Sequence, residues 1–236
     1  MKVLAVDTSS SVAAVAVMDN DKLLGEYSIN HKKTHSQRLM PMIKELLDSL
    51  ELSPKDMDLF AASSGPGSFT GLRIGVTTVK AMAYAVKKPV ISVPTLDSLA
   101  YNVPICDGLV CPIMDARNQQ VYTAVYRWDE GKLVKITDYM GVHISELLLI
   151  LKEKQEKVVF LGDAVELHKS CLYENLEDKC EIVPGSLLSQ RASSVAQIAL
   201  LKALEGLTES CFDMVPFYLR KSQAERELEK RSQGSI

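Results

Sequence analysis

The chain has 236 residues, 47% apolar and 24% charged, with a formal net charge of −3; it can bury a sizeable core, and it has no basic excess with which to grip nucleic acid unaided. No apolar run approaches the roughly 20 residues needed to span a bilayer, and Met1 to Asp7 enters a strand pattern directly rather than a signal peptide, so a cytoplasmic protein is expected. Five cysteines with no Cys-x-x-Cys pair suggest neither a disulfide framework nor a zinc knuckle, and of the four histidines only His31 and His35 stand i, i+4, with no acidic third ligand nearby.

Lys2 to Asp7, Val12 to Met18 and Lys22 to Ile29 read as three short strands, the last two joined by the turn Asp19-Asn20-Asp21. His35 to Leu50 carries Leu39, Ile43, Leu46, Leu47 and Leu50 at helical spacing. Pro41 falls past its first turn and should cost a backbone hydrogen bond or kink it. Strand Leu59 to Ser64 leads into a loop holding Gly65, Pro66, Gly67 and Gly71, after which Ile74, Thr77, Thr78, Ala81 and Ala85 recur at helical spacing. Such a loop can aim backbone amides and a helix N-terminus at an anion, or serve only as a strand-to-helix connection; the phosphate-loop lysine followed by Ser or Thr is absent. Strand Val90 to Val93 and a helix from Thr95 complete the order βββαβαβα.

Beyond the turn-rich seam Pro104 to Gly108 the pattern begins again. Strands are predicted at Leu109 to Asp115, Gln120 to Trp128 and Lys132 to Asp138, then helix Ser145 to Gln155. Strand Lys157 to Leu161, helix Ala164 to Asn175, strand Glu181 to Val183 and helix Ala192 to Glu205 follow. This duplicates the architecture, without residue-level repetition. The expected division is an N-terminal lobe over residues 1–105, a C-terminal lobe over 106–220 and a charged tail over 221–236. Meandering strands followed by alternating helices and strands imply an α/β fold of two mixed sheets with a cleft between them. The arrangement resembles the RNase H-like superfamily of actin, chaperone ATPases and sugar kinases. Asp7, Thr8 and Ser9 occupy the place of its first phosphate loop, and they are weak candidates for holding a nucleotide. A short acid that satisfies turn amides is the alternative reading of Asp7.

A closer resemblance rests on five segments in order: VDTSSSVAAVAV, HSQRLMPMI, SSGPGSFTGLRIG, MDARNQQVYTAVY and PFYLR. Together they resemble the TsaB family, formerly YeaZ, the accessory subunit of bacterial tRNA threonylcarbamoyladenosine synthesis. The resemblance implies a noncatalytic scaffold that supports a catalytic TsaD-like subunit together with a TsaE-like ATPase, forms a homodimer when alone, and meets tRNA only through the complex. The catalytic relatives carry a His-x-x-x-His metal pair on the helix after the strand corresponding to Val90 to Val93. The matching positions here are Thr95 and Leu99; leucine offers no lone pair, so these residues cannot form that site. No cofactor is expected, and ATP or ADP held by the assembly would not be turned over by this chain. The competing activity is an ATP-dependent transferase or hydrolase using the interlobe cleft, against which Ala116-Arg117-Asn118 stands where glycines would let amides approach phosphate.

The predicted partner surface is the first helix with the start of the second. In the helix that starts at His35, itself a candidate contact, Leu39, Ile43, Leu46 and Leu50 form one apolar stripe that Met40, Met42 and Leu47 broaden, and flexible thioethers suit a surface that repacks against more than one partner. Ser68, Phe69, Thr70 and Arg73 are expected beside it, Phe69 capping the core or inserting into a partner and Arg73 pairing with a carboxylate in the partner or in this chain. Ordinary core burial is the alternative for the helical stripe. Asp115 and Arg117 are read as a hairpin ion pair, near Tyr122.

Overall fold

The computed structural model describes residues 1–31 and 34–220; the predicted charged tail lies outside the described residues. The first sheet is formed by β1 (Lys2–Asp7), β2 (Val12–Asp19), β3 (Lys22–Asn30), β4 (Leu59–Gly65) and β5 (Val90–Pro94), in the order β3-β2-β1-β4-β5. The β1–β2–β3 meander is antiparallel, and β4 and β5 add parallel to β1. Parallel additions need crossovers, and α1 (His35–Ser49) and α2 (Phe69–Val86) supply them. The β1 sequence explains why both faces are covered. Leu4 and Val6 pack with Val15, Ile43, Leu46, Val76 and Val79 beneath α1 and α2, and Val3 and Ala5 point the other way, as a two-residue period requires.

That other face is covered by α6 (Ala192–Leu204), whose Val195, Ala196 and Ala199 meet Val3, Ala5 and Ala61. The last helix of the second half thus packs on the first sheet. Conversely α3 (Thr95–Ala100) sets Leu96 and Leu99 against Val110, Met114 and Tyr126 of the second sheet. The two helices form a shared middle layer between the sheets, which fastens the lobes together by side-chain burial.

The second sheet runs β10 (Met140–His143), β7 (Gln120–Thr123), β6 (Leu109–Asp115), β11 (Val158–Leu161), β12 (Cys180–Ile182), with α4 (Ile144–Lys154) and α5 (Val165–Leu176) on its outer face. Here the meander departs from expectation. The predicted strand Gln120 to Trp128 is broken into β7 and β8 (Tyr126–Asp129), which pair with opposite halves of β6. The break falls at Ala124 and Val125, both fully buried, where the Val125 amide donates to the Thr137 hydroxyl at 3.0 Å and its carbonyl accepts from Ile136 at 2.7 Å. Pairing therefore transfers to β9 (Lys132–Lys135), and β10 is an edge strand the sequence pattern did not single out. Helix α1 continues through Pro41, whose ring lies on the exposed face.

Candidate functional site

The turn after β1 is closed by its own hydroxyls. Asp7 is fully buried; its Oδ1 accepts from the Ser9 amide at 2.9 Å and the Ser9 hydroxyl at 2.6 Å, and its Oδ2 accepts from the Ser63 hydroxyl. Burial pushes the Asp7 carboxyl above its ordinary value, against the pull of those hydrogen bonds. Thr8 donates to the Gly71 carbonyl at 2.8 Å. The His35 ring, at the start of α1, lies 2.8 Å through Nε2 from the Ser10 carbonyl. Asp7, Thr8 and Ser9 are thus brought together as a structural turn whose polar atoms are already engaged.

The glycine-rich loop serves the same contact. The Ser68 amide donates to the Ser9 carbonyl at 2.7 Å, and the Ser68 side chain caps α2 by accepting from the Gly71 amide at 3.2 Å. A Cβ at Gly67 would overlap the Ser9 carbonyl oxygen, and one at Gly71 the Thr8 carbonyl oxygen. Two of the sequence's glycines are therefore required where backbone meets backbone, and the amides of Ser68 and Gly71 are spent inside the protein.

A cavity of about 440 Å³ lies between the lobes, lined by Ser9 to Ser11, Gly67 to Phe69, Asp115 to Arg117 and Phe217 to Arg220. Arg117 pairs with Asp115 at 3.2 Å, and the Arg117 amide donates to Asp115 at 2.8 Å, the hairpin arrangement expected of them. Across from it the Asp115 amide donates to Asp163 Oδ1 at 3.0 Å. Burial raises the Asp163 carboxyl, with the Asp115 charge adding in the same direction. Thr95 and Leu99 are both fully buried; Leu99 packs in the middle layer, so that helix presents no pair of metal ligands. Among the described residues no three His, Cys, Asp or Glu side chains converge on a metal-sized site.

A second, more open concavity lies elsewhere. A groove of about 860 Å³ runs along the outer face of α2 toward α1, lined by Met40 from α1 and by Phe69, Arg73, Thr77, Thr78 and Ala81 among others of α2. Leu72, Val76, Val79 and Ala83 face the core. The residues whose spacing predicted α2 are thus its outward face, and its inward face is a second, equally regular stripe. Met40 is half exposed, while Leu39, Met42, Ile43, Leu46 and Leu47 are between 1% and 4% exposed. The helical stripe read as a partner surface is core. The physical reason is the breadth of the sheet face beneath the helix: all five join one cluster with Val6 of β1 and Ala13, Val15 and Val17 of β2, and Leu24, Tyr27 and Ile29 of β3 pack at its edge.

Comparison with known proteins decides the relationship. The family model for TsaD, tRNA N6-adenosine threonylcarbamoyltransferase, matches residues 22–228. The tRNA threonylcarbamoyladenosine biosynthesis protein TsaB of Bacillus subtilis is 36% identical over 225 residues, 95% of this chain and 96% of that protein. The chain belongs to the TsaB (YeaZ) family. A Pseudomonas aeruginosa crystal structure, described as an uncharacterized protein with similarity to peptidase YeaZ, superposes with a TM-score of 0.80 at 25% identity, covering 93% of this chain and 99% of that one. The ROK hexokinase of Thermus thermophilus shares the fold alone, at a TM-score of 0.50 and 12% identity over 87% of this chain and 100% of that one. The two-sheet architecture is thus a fold that this sugar kinase shares.

Within this TsaB-family chain the structure brings Met40, Phe69, Thr70 and Arg73 together on one groove, and leaves Ser68 exposed at its end as the α2 cap. His35 immediately precedes Ser36 of the groove's rim and stands a little over one turn before Met40. The sequence reading missed Thr77, Thr78, Ala81, Met82 and Ala85 as groove walls. For Thr77, Thr78, Ala81 and Ala85 the signal was present as small and weakly polar side chains at helical spacing, which a core helix of this length has little reason to repeat. No helix among the described residues is long and apolar enough to cross a membrane.

Proposed function

We propose that this chain is a noncatalytic scaffold subunit for threonylcarbamoylation of the adenosine beside the tRNA anticodon, holding a TsaD-like catalytic subunit by the α1–α2 groove. A TsaE-like ATPase joins the same assembly, and tRNA is met only through the complex. The observation that carries this reading is the groove itself: small side chains on α2 form its floor, Met40 its flexible wall and Arg73 a charged end, while the neighbouring core is complete without it.

The choice of partner follows from likeness. The TsaD family model covers most of this chain, so a TsaD-type subunit is expected to carry a comparable helix pair, and two like surfaces pair about an approximate two-fold axis. The same geometry lets a second copy of the chain take the place when the partner is missing. Bacillus subtilis TsaB is named for tRNA threonylcarbamoyladenosine biosynthesis, the process this reading assigns here. Native co-purification followed by mass spectrometry tests it: the TsaD-like subunit is the expected main partner, and its absence counts against the reading.

The interlobe cavity favours a second reading, ATP-dependent group transfer or hydrolysis. It meets a buried, fully engaged Asp7 and a C-terminal segment lying along the cavity wall. ATP turnover by the purified chain would replace the scaffold reading with this one.

A further inference from the structure

Phe69 belongs to two places at once. Its side chain lines both the α1–α2 groove and the interlobe cavity. On the groove side the Arg73 guanidinium sits 3.9 Å from the Phe69 ring centroid. On the cavity side the Tyr218 ring stacks on Phe69 with centroids 4.7 Å apart and an interplanar angle of 28°, and Arg73 Nε donates to the Tyr218 hydroxyl at 3.2 Å.

Tyr218 is the middle of a strap. The segment from Val215 to Arg220 forms no helix or strand, and it crosses the cavity on discrete contacts. At the first lobe the Phe217 amide donates to the Ser64 carbonyl at 2.7 Å. A Cβ on Gly65 would overlap the Phe217 carbonyl oxygen, so the strap's seat needs glycine there. At the second lobe Arg220 donates to the Gly141 carbonyl at 2.7 Å and to Gln120 Oε1. At the second lobe the Phe217 ring also packs on Tyr139, with centroids 5.7 Å apart; a segment fastened by discrete contacts rather than by a helix or a sheet ladder responds to changes at its anchors.

We infer that Phe69 and Arg73 couple occupancy of the groove to the fastening of this strap across the interlobe cavity. The inference rests on the groove reading above and adds its regulation. A partner on the groove covers Arg73 and Phe69, excludes water from the stack and the hydrogen bond to Tyr218, and so strengthens the near anchor of the strap. Linkage requires the converse: a fastened strap holds Arg73 and Phe69 in the geometry the partner meets, and a loose strap weakens docking by the same factor.

Arg220 allows the test because it lines the cavity and not the groove. The probe is the TsaD-like subunit encoded in the same genome, with the full chain as partner. Its dissociation constant is measured for wild type, R220A and the groove variant T78R, and exchange of the Phe217 amide is followed by hydrogen–deuterium exchange with and without the probe. The coupling predicts that R220A weakens binding by about fivefold or more, that the probe slows Phe217 exchange in wild type, and that T78R abolishes both effects. If T78R binds like wild type, the groove reading fails and this inference with it. If T78R loses binding while R220A keeps wild-type affinity and the probe leaves Phe217 exchange unchanged, the groove stands and the coupling is overturned. The exchange arm on wild type needs no variant to fold, and Y218A, which loosens the strap at its near anchor, must weaken binding in step with R220A.

Discussion

The Thr8 hydroxyl donates to the Gly71 carbonyl, and the Thr8 carbonyl lies where a Cβ on Gly71 would be. This contact locks the first turn of α2 against the end of β1. It fixes where the helix starts, and hence where Phe69 and Arg73 stand. G71A must move backbone, not the tip of a side chain, and should cost on the order of 3 kcal/mol. G185A, where a Cβ meets nothing within 4 Å, should stay within about 0.5 kcal/mol of wild type. Urea unfolding of the two variants side by side measures the difference; equal midpoints would show the contact to be dispensable.

Charge placed on the groove and charge placed in the core should separate cleanly. Ala81 is exposed on the groove floor, so A81E should leave the thermal midpoint near that of wild type while weakening binding of the TsaD-like subunit by at least about tenfold, or 1.4 kcal/mol. Ile43, on the core-facing side of α1, is 1% exposed. I43D buries a carboxylate among apolar side chains and should cost about 4 kcal/mol or more, a loss of fold that appears in circular dichroism before any binding is measured. An I43D chain that is folded but fails to bind would put the partner surface back on the helical stripe.

The contrast between those two positions shows what the sequence could and could not convey. The succession of elements along the first half of the chain, both crossover helices and the αβ alternation were legible because apolar spacing reports local burial directly, as in Val3 to Val6. Which face of a helix is buried is a tertiary matter: Met42 and Leu47 looked surplus to the stripe of Leu39, Ile43, Leu46 and Leu50, yet both join the core cluster with side chains of β2 and β3. The break at Ala124 and Val125 was hidden because three successive buried residues, Thr123 to Val125, read as one continuous strand. The strap was hidden for a related reason. PFYLR carries no periodicity, and its anchors at Ser64, Phe69 and Gly141 lie far away in sequence. Asp7 was legible, since a short acid before two hydroxyl residues has an obvious local use.

Asp7 gives a pH-dependent prediction with a definite sign. Its carboxyl is held above the ordinary carboxylate range, chiefly by burial. The folded chain therefore retains that proton to higher pH than the unfolded chain, and the associated stability is full below about pH 4 and lost as pH rises through the folded value. D7N keeps an oxygen for the Ser9 amide and hydroxyl and offers Nδ2 to the Ser63 hydroxyl oxygen, with no charge to bury. The thermal midpoint of D7N relative to wild type should rise as pH increases above about 4 and level off once the folded value is passed. A constant offset across that range would mean that Asp7 does not titrate differently in the two states.

Glu26 of β3 caps a helix from another part of the chain. Its Oε1 accepts from the Ser193 amide and hydroxyl, both at 2.9 Å, at the second position of α6, and its Oε2 accepts from Arg191 at 2.7 and 3.2 Å. The Glu26 side chain is 11% exposed and that of Arg191 38%, so the carboxylate side of the pair is the one whose loss strands donors. A carboxylate at a helix N-terminus also meets the positive end of the helix dipole. E26A should cost about 2 kcal/mol, and E26Q, which keeps one acceptor and gives up the charge, about half of that. R191A removes a half-exposed partner and should cost about 1 kcal/mol or less. Because α6 is the helix that carries the second half of the chain onto the first sheet, the E26A penalty should also appear as faster amide exchange along Ala192 to Val195 and along the facing strand β1. Faster exchange confined to β3 would mean that Glu26 anchors its own strand only.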